Sequence, residues 1–367
     1  MVGPSSSTAV IDLDDTAGLL DADREGLLRA AATAGAQVRA TAAALDEGEL
    51  EPLRADGPPR TLIWVAGRGT AETAGLLLAA ALGGSLAAPI VVAAEAPPWI
   101  GPLDVLVVAG DDPADPALVN AAATGVRRGA RVVVAAPYEG PLRDVAAGRA
   151  VPLPPRVWVR DDFGLVRYLA AGLATLHVVD PGMRVDLAAL ADELDAEALR
   201  NSAARELFTN PAKALAGQMS DRDVVLAGDT AATLALARHC AAVLLRIAHR
   251  SVAAVGLADA LVALRTGMGA ADDRERSIFH DEQIDGPLPA RVRTFVLTTE
   301  GDRPVVAARV ADMDGVDVLS AQDVPELADG AARPEGESTA AGRLEQQLAL
   351  LAVRLEMTAV YLRLVRG

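Results

Sequence analysis

Aromatic side chains are scarce in this chain of 367 residues: 3 Trp, 3 Tyr and 4 Phe, 3% of the total. A core with so few rings must be assembled largely from Ala, Val and Leu, which suits helices packed closely on buried parallel strands. Cysteine is nearly absent. The single Cys240 excludes an intramolecular disulfide and any CxxC metal pattern, and its setting in the apolar run TLALARHCAAVLL reads as a packed thiol. Positive charge is short as well, with 34 Lys and Arg against 50 Asp and Glu, a net charge of −16 and a pI near 4.7. Nucleic acid and acidic membrane surfaces both need a basic footprint, so neither is expected as a partner. No run reaches the ~18 apolar residues of a membrane span, because Arg238 and His239 interrupt the best candidate. The N-terminal MVGPSSSTAV has no basic stretch followed by an apolar one, so no signal peptide is expected and the chain reads as cytoplasmic.

What is present is an alternation. A helical segment from about Asp15 to Leu45 ends at ADGPPR. Short apolar strands then alternate with helices: TLIWVAG (61–67), APIVVAAE (88–95), DVLVVAG (104–110) and ARVVVAAP (130–137). A helix-rich middle leads to a second series: DVVLAGD (223–229), SVAAVGL (251–257), RTFVLTT (293–299) and GVDVLSA (315–321). A long amphipathic helix is expected over 341–366. Such alternation predicts βαβ units, hence an α/β fold of two doubly wound parallel-sheet domains with an N-terminal helix and a long C-terminal helix. The expected divisions are an N-terminal helical segment (1–57), a first α/β domain (58–161), a helical connector (162–221) and a second α/β domain with the closing helix (222–367).

Residues 107–122, VVAGDDPADPALVNAA, carry the strand–turn–helix form that binds anions through helix-start N–H groups. Yet the turn offers Asp111, Asp112 and Asp115, where an anion favours hydroxyls and positive charge. Asp111 and Asp112 also read as N-cap residues at a positive helix end. Oxygen ligands for Mg²⁺ or Ca²⁺ are conceivable, but the spacing is not that of an EF-hand, and no metal is expected.

Several stretches resemble the SIS-domain (sugar isomerase) phosphoglucose/phosphomannose isomerase family, most of all its divergent TobH-type members. VAGRGTAETAG resembles that family's first Gly-rich loop, GMGGSaiGG, and the 107–122 stretch falls where the family has vSYSGNTEETL. SIFHDEQIDG resembles HNEi.GW, and LLAVRLEMTAVYLRLVRG is similar to the closing lgDyvSvYLAllrG. The resemblance implies aldose–ketose isomerisation of a sugar phosphate, no cofactor, and a homodimer. Hydroxyls and N–H groups hold the phosphate, a His opens the ring, a Glu base moves the proton and an Arg stabilises the enediolate.

By that resemblance His280 is the ring-opening histidine, Arg160 (or Arg156 in PPR) the arginine, and Gly67, Gly69, Thr70 and Thr73 the first loop. Thr70 and Thr73 read equally as helix N-caps. Gly110, Asp111 and Asp112 lie over the phosphate-binding SYSGNT segment, with Asp111 on a serine. A carboxylate ~5 Å from a phosphate costs roughly 3 kcal/mol at an effective dielectric of ~20. The family's glutamate base falls on His249 or Arg250; His249 also suits a helix C-cap. Glu282 and Glu72 are the alternative bases. These departures imply a sugar-phosphate (or related sugar) binding protein whose isomerase chemistry is weakened or lost, with an active isomerase and a purely structural role as the other readings.

Overall fold

The structure, a computed structural model, describes residues 11–268, 292–323 and 343–366. His280 and Glu282 lie outside the described residues. The chain divides into two compact units, one made of Arg29–Leu199 with Leu344–Val353, the other of Met1–Leu28, Arg200–Arg343 and Arg354–Gly367.

The first unit holds a five-stranded parallel sheet: β1 Thr61–Ala66, β2 Ile90–Ala93, β3 Asp104–Ala109, β4 Arg131–Ala135 and β5 Ala150–Pro152, in the order β2-β1-β3-β4-β5. β3 (DVLVVA) is buried along its whole length, as its unbroken apolar run requires. Alternate residues serve opposite faces. Ile63, Val65, Leu106 and Val108 form one core with residues of α5 (Pro116–Arg128) and α6 (Gly140–Ala146). Trp64 points the other way, towards α4 (Thr70–Leu82) and α7 (Leu165–Val179). Gly75 of α4 and Gly172 of α7 make room for its ring, and its indole N–H donates to Ala71 O at 2.9 Å. α3 (Ala34–Asp46) packs on α7, and Arg39 of α3 pairs with Asp192 of α8 (Leu187–Arg200).

The second unit holds β6 Asp223–Gly228, β7 Ala253–Gly256, β8 Val292–Leu297 and β9 Val316–Leu319, all parallel in the order β7-β6-β8-β9. α10 (Ala231–Ala248) starts with a capping box between Thr230 and Thr233. α9 (Pro211–Met219), α11 (Leu257–Arg265) and α12 (Arg303–Val310) complete it, with the second part of α13 (Leu344–Val365). Several ionisable groups are enclosed here, among them Lys213 and the His239–Glu356 pair. Lys213, the only lysine in the sequence, donates to Ala203 O (2.9 Å) and Arg205 O (2.7 Å), and burial lowers its pKa. His239 Nε2 lies 2.8 Å from Glu356 Oε1.

Three expectations are corrected. The N-terminal helix is three helices, α1 (Thr16–Ala22), α2 (Leu27–Ala31) and α3. Asp23 ends the first, and its carboxylate accepts from Leu27 N and Leu28 N to start the second, while Gly26 turns the chain at φ +68°. The apolar periodicity runs through that break, which is why it reads as one helix. α13 is not amphipathic: every residue from Gln347 to Leu362 is buried, including Arg354 and Glu356. Finally, α10 is long and apolar enough by length and composition to cross a membrane, although most of it is buried. Its Arg238 is exposed and its His239 is paired with Glu356, so the two polar residues do not interrupt the helix.

Candidate functional site

In the five-stranded sheet the chain winds one way from β1 to β2 and the other way from β3 to β5, so the order reverses between β1 and β3. The crevice beyond the carboxyl ends of such a strand pair is the usual ligand position in open α/β sheets. Here it lies between the β1–α4 loop, Gly67 to Gly69, and the β3–α5 loop, Gly110 to Asp115. The two loops touch. Gly67 N donates to Ala109 O at 2.7 Å, and a Cβ added to Gly67 would lie 3.6 Å from both Gly110 Cα and Asp115 Oδ2. Gly69 caps α4 at φ +85°, which a side chain would strain.

The α4 start has no side-chain cap. Thr70 and Thr73, the hydroxyls of this loop, sit inside the helix: Thr70 Oγ1 donates to Asp161 O (3.3 Å) and Thr73 Oγ1 to Gly69 O (3.3 Å). The N-cap reading therefore fails for both, since Gly69 holds the cap position. The α5 start is different. Asp115, not Asp111 or Asp112, is its N-cap, with Oδ1 accepting from Ala117 N at 2.8 Å and Pro116 following. Asp112 is exposed and closes a local turn by accepting from Ala114 N at 2.8 Å.

Asp111 is held by two residues that the sequence reading missed. Arg167 and Tyr168, at the start of α7, converge on its Oδ1. The guanidinium forms an ion pair with that oxygen, and the phenol donates to it at 2.7 Å. Arg167 Nη2 also donates to Tyr168 Oη at 2.6 Å, with the guanidinium carbon 4.5 Å from the ring centroid. The Arg167 and Asp111 side chains are 14% and 23% exposed, so this is a mostly desolvated pair. Burial pushes the Tyr168 phenol well above its ordinary pKa and the Asp111 charge adds to the shift, which keeps the ring neutral and donating. Burial works against the charge on Arg167, and Tyr168 and Asp111 more than reverse it, leaving that pKa raised. The available signal was an arginine and a tyrosine inside the apolar run GLVRYLAAGLATL.

Around this cluster the described site residues divide. Arg160 lies in the turn before α7, with Nη2 3.4 Å from Asp162 Oδ2, and Thr70 contacts that same turn through Asp161. Arg156 forms ion pairs with Glu47 and Glu49 at the end of α3. Glu72 is exposed in the first turn of α4. His249 belongs to the other unit: it is the C-cap of α10 at φ +52°, exposed, with Nδ1 3.2 Å from Arg363 Nη1. Among the described residues no group of three or more His, Cys, Asp or Glu gathers as a metal site.

No protein-family model matches the chain. No curated protein matches it either. Solved structures do. A tagatose-6-phosphate ketose/aldose isomerase from Escherichia coli superposes with a TM-score of 0.59 at 15% identity, over 98% of this chain and 96% of its own. The C-terminal domain of a glucosamine-fructose-6-phosphate aminotransferase from Francisella tularensis gives 0.58 at 12% identity, over 95% and 96%. A glucose-6-phosphate isomerase-like protein from Thermus thermophilus gives 0.52 at 19% identity, over 97% and 94%. The fold is that of the SIS-like sugar isomerases. At these identities the likeness speaks for the architecture, and the reading of the site rests on its own residues.

Proposed function

We propose that this chain is a SIS-type binding protein for a sugar phosphate or related carbohydrate derivative, descended from the phosphoglucose/phosphomannose isomerase branch and without aldose–ketose turnover. One observation carries the reading. At the strand-switch crevice of the first sheet, where the resemblance puts a phosphate-binding serine, Asp111 already engages Arg167 and Tyr168. Isomerisation needs a base poised to move a proton between two carbons and an electrophile free to meet the developing oxyanion. Of the described candidates, His249 is taken up as a helix cap, Arg160 faces Asp162, Arg250 donates to Met219 O and Arg222 O, and Glu72 stands exposed in the first turn of α4. A homodimer follows from the same resemblance, as does a ring-opening role for His280.

The test is to incubate the full chain with fructose 6-phosphate in D₂O and follow the sugar protons by NMR. The expected result is no deuterium at C1 and no glucose or mannose 6-phosphate over many hours. Exchange that disappears in His280→Ala would overturn the loss of turnover and make the chain an isomerase.

A further inference from the structure

The second unit has a cavity of about 520 Å³, bounded by α1, the turn into α2 and the end of α13. That volume lies within the range of small-molecule sites, roughly 300–1,000 Å³. Its apolar wall comes from Ile11, Leu27 and Leu364, of which the last two are buried. Hydrogen bonds fix this wall. Ile11 N donates to Val365 O at 3.2 Å, and the Asp23 carboxylate accepts from Leu27 N (2.7 Å) and Leu28 N (2.9 Å). The site is therefore shaped before any ligand arrives, and Asp23 is already satisfied within it.

The other charges of the lining are not neutralised in this way. Among the described residues no carboxylate pairs with Arg24 or Arg363, and no cation pairs with Asp21. The Arg363 guanidinium has a ring nitrogen beside it, His249 Nδ1 at 3.2 Å from Nη1. Two guanidiniums and a carboxylate thus share one cavity with an apolar wall. A plain anion would meet Asp21 and Glu25 here, and the net charge of −16 would repel it at longer range. A plain cation would meet the two arginines. A compound carrying both signs satisfies the set, because a guanidinium fork matches a carboxylate and Asp21 can accept from an ammonium. We propose that this cavity is a second ligand site, for an α-amino acid with a large apolar side chain. The carboxylate goes to Arg24 and Arg363, the ammonium to Asp21, and the side chain covers Leu27 and Leu364. Nothing in this assignment depends on the carbohydrate reading of the other unit.

The experiment is calorimetric titration of the full chain with L-phenylalanine and L-leucine. Three probes each lack one part: hydrocinnamate the ammonium, phenethylamine the carboxylate, and glycine the apolar body. Saturable binding of at least one of the two amino acids is expected, about 10-fold tighter than any of the three probes. Arg24→Gln and Arg363→Gln should each weaken it by about 10-fold. Asp21→Asn should weaken the amino acid and leave hydrocinnamate unaffected. Arg24 and Asp21 are exposed, so both variants should keep the wild-type melting temperature; they carry the test should Arg363→Gln lose stability with its His249 contact. No saturable binding of either amino acid up to about 10 mM overturns the proposal. So does equal affinity for hydrocinnamate, or binding that Arg24→Gln leaves unchanged.

Discussion

The Asp111–Arg167 pair gives the sharpest quantitative test of the site. Opposite unit charges about 4 Å apart attract by roughly 4 kcal/mol at an effective dielectric of ~20, but desolvation of both groups consumes much of that. With side chains 14% and 23% exposed, the pair falls between an exterior ion pair, worth about 0.2–1 kcal/mol, and a fully buried one, whose breaking costs about 3–5 kcal/mol. Arg167→Leu should therefore destabilise the chain by about 2 kcal/mol, because it leaves the carboxylate with only the Tyr168 phenol as donor. Asp111→Ala should cost about the same, since a guanidinium is then left stacked on Tyr168 without its counter-ion. The double variant should cost much less than the sum, with a coupling energy of about 1.5 kcal/mol. Urea unfolding followed by circular dichroism measures all four proteins, provided the slope stays constant across them. A coupling below about 0.3 kcal/mol would refute the reasoning, because independent sites add to within that margin.

Other expectations are independent of that pair. Gly75→Ala and Gly172→Ala each bring a Cβ against Trp64 or Leu78, at 2.4 Å and 2.2 Å, so each should cost about 2–3 kcal/mol in the same assay through overpacking. Lys213→Met fills similar space but leaves two carbonyls without their donor; a loss of about 2–3 kcal/mol is expected. Because Lys213 is also the only lysine, an amine-reactive reagent should leave its ε-amine unlabelled in the native protein and label it after denaturation. Burial pushes the Tyr361 phenol up to about 12, above the ordinary value near 10. The folded state thus holds that proton more tightly than the unfolded state: the contribution to stability is complete below pH ~10 and is lost as pH rises through about 12. Unfolding free energies measured across that range should fall, and Tyr361→Phe should flatten the fall.

The parallel sheets were legible because their signal is local. Runs such as DVLVVA and DVVLAG are short, apolar and bounded by glycine, and both became strands within the expected segments. The first strand-switch loop was legible for the same reason, down to the glycines that let Gly67 and Gly110 approach. What failed was long-range. Nothing near Asp111 in sequence announces Arg167, 56 residues away, since an arginine in an apolar helix reads equally as an outward-facing residue. α13 misled in the opposite direction. Its Glu and Arg residues predict a wet face, yet Glu356 meets His239 and Arg354 donates to the carbonyls of Ser320 and Ala321, so its charges are partnered inside the protein. The N-terminal break was missed because Asp23 can cap a helix only once Gly26 has turned the chain.

The acidic residue at a switch point recurs. In the second sheet the order reverses between β6 and β8, and Asp229, just after β6, accepts from Thr233 Oγ1 and Thr298 Oγ1, both at 2.7 Å. Each unit thus ends its first crevice strand pair with a carboxylate already bonded inside its own unit. Both carboxylates are satisfied by side chains of their own unit, Asp111 by Arg167 and Tyr168 and Asp229 by Thr233 and Thr298. Each carboxylate sets a negative charge beside its crevice, which opposes a bound anion there, although the α4 start carries no side-chain cap. Ligands that bind only the native state raise its apparent stability with concentration, so sulfate and phosphate should raise the melting temperature no more than their general salting effect on an unrelated protein of similar charge. A saturable rise with phosphate in the wild type, absent in Arg167→Gln, would show instead that Asp111 yields its guanidinium to an incoming anion.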